Sequence, residues 1–124
     1  MKSLSIEKLA AIAFFALRIK GISSISSIYA YDVSKYFNFS ISSNGSVIGI
    51  FDYQRGNYLS GNPSGNGWNV FDYADSQYVS FSEKPDDKFS VYDYASSSYI
   101  DVSFQNKTVV LYSYQQSKYH NFGF

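Results

Sequence analysis

From Ile28 to the C-terminus, hydrophobic and polar side chains alternate with a period of two, interrupted at regular intervals by short runs of serine, glycine, asparagine and aspartate. A period of two puts successive side chains on opposite faces of a strand, so the pattern predicts short antiparallel strands joined by tight turns. The interruptions themselves repeat. Five segments align without a gap: Tyr29-Ala30-Tyr31 to Tyr36, Phe51-Asp52-Tyr53 to Tyr58, Phe71-Asp72-Tyr73 to Tyr78, Tyr92-Asp93-Tyr94 to Tyr99, and Tyr112-Ser113-Tyr114 to Tyr119. They recur every 20 to 22 residues, and all 13 tyrosines of the chain fall on motif positions. Periodicity of this length means one supersecondary unit used several times.

Each unit reads as a β-hairpin. Four residues separate the two inner tyrosines, with Ser or Gly always third, and a small residue there tolerates the unusual backbone angle such a loop needs. The hairpins are linked by turn-rich segments at 42–46, 61–67, 83–88 and 105–107, of which Asn44-Gly45 is the strongest turn signal. The glycine-rich link from Gly61 to Gly67 departs most from the repeat. It predicts that the second outgoing strand stops after Ser60 and gives way to a mobile rim beside Trp68. Fold class is therefore mainly β: an antiparallel meander of five hairpins, about ten strands, forming a curled sheet or a barrel. The whole chain, 1–124, is expected to form a single domain, with 1–24 as helix and link and 25–124 as the hairpins.

The N-terminal segment has a different period. Ser5 can cap a helix, Ala and Leu favour its interior, and Gly21 is placed to end it. Ile6, Leu9, Ile12, Ala13, Ala16 and Leu17 form a broad apolar face, against a narrow stripe of Glu7, Ala11 and Arg18. Such a helix needs burial on most sides, and the aliphatic face of the sheet is its natural seat. The apolar run is too short to span a membrane, and Arg18 and Lys20 stand where a signal-peptide cleavage site belongs.

Alternation gives the sheet two unlike faces. Ile28, Ile50, Val70, Val91 and Leu111 share one side with Phe37, Phe39, Ile41, Val79, Phe81, Ile100, Val102, Phe104, Phe122 and Phe124. The other side carries up to three motif aromatics per hairpin, in ladders across neighbouring strands. Tyr53, Tyr58, Tyr73, Tyr78, Tyr94, Tyr99 and Tyr114, with Trp68, are the candidate binding residues. Asp52, Asp72 and Asp93 fall in equivalent places on the aliphatic side beside the loops. There each carboxylate is expected to accept hydrogen bonds from its own loop's amides, making Asp72→Ala cost about 1 kcal/mol. A row of calcium ligands is the weaker alternative, because Ala30 and Ser113 replace Asp in the end repeats.

Composition then narrows the function. With no cysteine there is no thiolate nucleophile or thiolate zinc site, and His120 is the only histidine. No nucleophile elbow, phosphate-binding loop or dinucleotide fingerprint occurs. Asp75, Glu83, Asp86, Asp87 and Asp101 could meet in space, but nothing in the sequence selects among them. Ten basic and ten acidic groups give zero net charge, which argues against nucleic acid as a partner. The expected function is therefore a non-catalytic, structural protein that self-associates into homo-oligomers through its tyrosine face, with no catalytic residue, metal or cofactor. The alternatives are a module that binds carbohydrate or another cell-surface polymer, and a carrier of a small apolar ligand.

Overall fold

A computed structural model describes residues 3–22 and 25–124. One helix, α1 (Ile6–Ile19), is followed by ten strands in five hairpins. These are β1 (Ser27–Ala30) with β2 (Lys35–Asn44), β3 (Val47–Asp52) with β4 (Asn57–Ser64), and β5 (Gly67–Asp72) with β6 (Gln77–Lys84). The last two are β7 (Lys88–Asp93) with β8 (Ser98–Gln105), and β9 (Thr108–Ser113) with β10 (Lys118–Gly123). Every strand pairs antiparallel with its neighbours in sequence, and β1 pairs with β10, so the sheet closes into a barrel.

Local chemistry accounts for the turns. The third loop residue has positive φ in every hairpin: Ser34 at 53°, Gly56 at 65°, Ser76 at 53°, Ser97 at 53° and Ser117 at 52°. A left-handed residue lets a four-residue connection reverse the chain, and a small side chain limits the steric penalty. The helix begins at Ser5, whose Oγ accepts from the Lys8 amide at 3.1 Å. It ends in a Schellman motif: Gly21, at φ 88°, donates to the Arg18 carbonyl, and Ile22 donates to that of Leu17.

The helix stands inside the barrel. Leu9 through Leu17 are buried on every side, and Ala11, placed by the wheel on a polar stripe, is as buried as its neighbours. The stripe survives only at its ends, in Glu7 and Arg18, because a closed sheet surrounds the helix where an open one would cover a single face. Phe14 stacks on Phe39 at 4.4 Å, and Phe15 meets Phe81 at 5.6 Å. The predicted aliphatic face is the interior, and it joins α1 in one hydrophobic core.

The segment from Gly61 to Gly67 corrects the expectation of a mobile rim. β4 continues through Pro63 to Ser64, turns at Gly65-Asn66, and returns as β5. Gly61 serves proximity to the helix: a Cβ there would lie 2.4 Å from Cζ of Phe15. At Gly67 a Cβ would lie 1.9 Å from the Phe81 carbonyl oxygen. Two of the glycines that read as loop residues are therefore places of close packing. Trp68 pairs in register with Phe81 and packs against the core.

Candidate functional surface

Outside the barrel the motif aromatics form five similar clusters. In each hairpin a central ring, Tyr29, Phe51, Phe71, Tyr92 or Tyr112, is flanked edge-on by two tyrosines at centroid distances of 4.7 to 5.1 Å. Edge-to-face pairs match the positive rim of one ring to the negative face of another, which holds the cluster in one geometry. The central rings are half-buried. The ten flanking tyrosines are 51 to 64 % exposed.

The barrel register joins these clusters. Tyr73 donates its amide to the Tyr58 carbonyl, Tyr94 to that of Tyr78 and Tyr114 to that of Tyr99, so these tyrosines face one another across the hairpin junctions. A belt of tyrosine thus runs unbroken over hairpins two to five. It is offset at the first hairpin, where Tyr53 faces Asn38 and Tyr31 faces Asn121. Of the predicted binding residues, Tyr53, Tyr58, Tyr73, Tyr78, Tyr94, Tyr99 and Tyr114 all lie in this belt. Trp68 does not. It alternates with Val70 and Asp72 on the inward side, so the aromatic-face assignment is corrected for this residue.

Below the rings, toward the inter-hairpin turns, the outward positions carry short polar side chains, including Ser40, Ser60, Ser80, Ser82, Ser90, Asp101 and Ser103. Large rings beside short side chains leave grooves. One of about 260 Å³ is lined by Ser80, Ser82 and Ser90 with Tyr92, Tyr94 and Tyr99. A larger one, about 540 Å³, lies under Tyr112, Tyr114 and Tyr119. In it the Tyr114 hydroxyl donates to Asp101 Oδ2 at 2.5 Å, which raises the phenol's pKa because the carboxylate holds its proton.

A second polar constellation closes the barrel mouth at the helix N-terminus. The row of aspartates does accept loop amides: Asp52 from Gln54 and Arg55, Asp72 from Ala74, and Asp93 from Ala95. It also meets cations supplied by the protein itself. Lys8 Nζ lies 2.6 Å from Asp72, 2.6 Å from Asp75 and 3.1 Å from Asp93. Arg55 turns back from its loop, with Nε 2.7 Å from Asp52 and Nη1 2.8 Å from Asp72. Burial pulls down the pKa of both cations. The attraction of Asp72 outweighs it, with Asp93 and Asp75 adding to it at Lys8 and Asp52 at Arg55, so both stay firmly charged.

The second loop residue supplies most of the lid. Arg55, Asp75, Ser96 and Gln116 occupy this position in hairpins two to five. Ser96 Oγ donates to Asp93 at 2.7 Å, and Gln116 Nε2 donates to the Leu4 carbonyl at 2.8 Å. His120, the only histidine of the chain, is buried at the same end. Its Nδ1 lies 2.5 Å from Asp32 and its Nε2 2.6 Å from Gln116 Oε1. Among the described residues, no group of histidine, aspartate and glutamate is arranged to hold a metal ion. The other carboxylates that could have met are dispersed: Asp75 at the mouth, Asp101 outside, and Glu83, Asp86 and Asp87 at the far turn, where Asp87 pairs with Lys20.

Lys8 and Arg55 were the residues that sequence reasoning passed over. Lys8 stands in line with Ile12 and Phe15 on the apolar face, and a charge in that position signals a buried partner. No helix among the described residues is long and apolar enough to cross a membrane. The fold defines a closed ten-stranded barrel plugged by its own helix. No protein-family model matches the chain, and the comparisons with curated proteins and with solved structures found no match.

Proposed function

We propose that this protein is a non-catalytic structural module that self-associates through its tyrosine belt. The observation that carries the reading is the exposure of ten tyrosine rings, each more than half open to solvent, on a barrel whose interior is filled. Monomeric proteins rarely leave aromatic surface of this extent uncovered. Tyrosine suits an interface because the ring is buried while the hydroxyl keeps a hydrogen bond. The belt over hairpins two to five is continuous, so a second copy can lay its own rings between them. Light scattering across a hundredfold concentration range tests the idea. The mass is expected to rise toward that of a dimer or larger assembly, and Tyr73→Ser with Tyr94→Ser to return it to 14.0 kDa. A wild-type protein that stays monomeric throughout would sink the reading.

A saccharide-binding module is the second reading, favoured by the serine-lined grooves beneath the rings. Aromatic faces with nearby hydroxyls are the surface a sugar ring needs, and here the surface recurs from hairpin to hairpin. Retention on polysaccharide that is lost in the same double variant, with the β circular-dichroism signal intact, is the expected result. The carrier of a small apolar ligand loses its support, because α1 stands where such a ligand would sit.

A further inference from the structure

Two residues after the final motif tyrosine, each outgoing strand places a side chain on the outer surface just below the belt. The occupants are Asn38, Ser60, Ser80, Asp101 and Asn121. Four neutral residues show that the barrel does not need a carboxylate at this position, so Asp101 is a departure confined to one repeat. It stands opposite Ser90 on one neighbouring strand and Tyr112 on the other, in the groove of about 540 Å³. That volume falls within the range of small-ligand sites. Tyr114 holds Oδ2 by a 2.5 Å hydrogen bond, and among the described residues no protein group donates to Oδ1. Lys84 and Lys88 line the same groove and pair with no carboxylate among the described residues.

We propose that this groove binds an acidic saccharide unit, a pyranose ring bearing a carboxylate. The inference rests on the saccharide reading above and names its site and its sugar. The ring lies against Tyr112 and Tyr119, its hydroxyls donate to Asp101, and Ser90 and Ser103 bond those nearest the floor. Its carboxylate faces the ammonium groups of Lys84 and Lys88. A neutral sugar would leave those two charges without a counterion, which gives the site its preference.

Titration calorimetry and amide chemical-shift mapping with a uronic acid trimer and the matching neutral hexose trimer test this. The acidic trimer is expected to bind, with shifts clustered at Ser90, Asp101, Ser103 and Tyr112. Asp101→Ser weakens it by about tenfold or more, the loss of a charge-assisted hydrogen bond. That variant carries the residue found at this position in hairpins two and three, so the barrel is expected to form, and circular dichroism checks it. Lys84→Ser with Lys88→Ser abolishes the preference for the acidic trimer. Equal binding of both trimers to the wild type, or an affinity untouched by Asp101→Ser, overturns the proposal. If the sugars bind and respond to Tyr73→Ser with Tyr94→Ser but not to Asp101→Ser, the groove is wrong and the broader saccharide reading stands. If neither sugar binds, both fall.

Discussion

Lys8 sits near the N-terminal end of a helix that is otherwise apolar, and three carboxylates surround its ammonium. Removing one partner of a buried ion pair leaves the other charged and unsolvated, which costs about 3 to 5 kcal/mol. Lys8→Met and Asp72→Ala are each expected to lower stability in denaturant by about that amount. This is several times the 1 kcal/mol that loop capping alone implies, and a loss near that smaller figure would show that the ion cluster contributes nothing. The Lys8 pKa is raised by folding above the ordinary value of 10.5. A cation held this way contributes stability that is complete below its unfolded pKa and is lost as pH rises through the folded one. The gap between wild type and Lys8→Met should therefore stay constant from neutral pH to about 10.5 and close only above it. Using the gap removes tyrosine ionisation common to both proteins. Capping by the aspartates was legible in the sequence, because it is local. The charge contacts of Lys8 were not, since they join residues 64 or more positions apart.

In each hairpin the constraint is one backbone angle. Ser76 holds φ at 53°, where an L side chain costs roughly 1 to 2 kcal/mol and a β-branched one more. Ser76→Gly is expected to be at least as stable as wild type, and Ser76→Val less stable than Ser76→Gly by about 2 kcal/mol in thermal or denaturant unfolding. Equal stabilities would mean that the loop relaxes out of the left-handed region. The regularity of Ser or Gly at this position makes the hairpins legible in the sequence, and alternation assigns nearly every ring to its face. The link at Gly61–Gly67 was misread because a glycine has more than one use. It can supply an unusual φ, as Gly65 does at 58°, or make room, as Gly61 does for Phe15. Sequence marks the glycine but not which use applies, since the second depends on a ring from a distant helix. Trp68 shares the parity of Val70 and Asp72, so alternation alone puts it on their inward side and apart from the tyrosines.

Closure of the sheet determines what the other parts can do. Faces follow from alternation, but whether β1 meets β10 depends on stagger and curvature accumulated over ten strands, and no local pattern encodes that sum. Once closed, the barrel has no free edge to pair with another chain, which leaves the outer side chains as the surface open to a partner. Its interior is too wide to be filled by strand side chains alone, and α1 supplies the missing volume with Leu9, Ile12, Phe14, Phe15 and Leu17, all fully buried. Helix and sheet therefore form one core, fastened at the mouth by Lys8 and at the other end by Lys20 against Asp87. A helix bound in this way has no route to local opening that leaves the barrel intact. Amide hydrogen exchange at Leu9 to Leu17 is expected to match the slowest strand amides, such as those of β7 and β8, and to proceed only by global unfolding. The same dependence predicts that a chain lacking residues 1–20 loses its cooperative thermal transition, as the emptied interior cannot hold the strands in register. Exchange at the helix much faster than in the strands, or cooperative unfolding without it, would mean that the barrel stands alone and that α1 is an insert it can release.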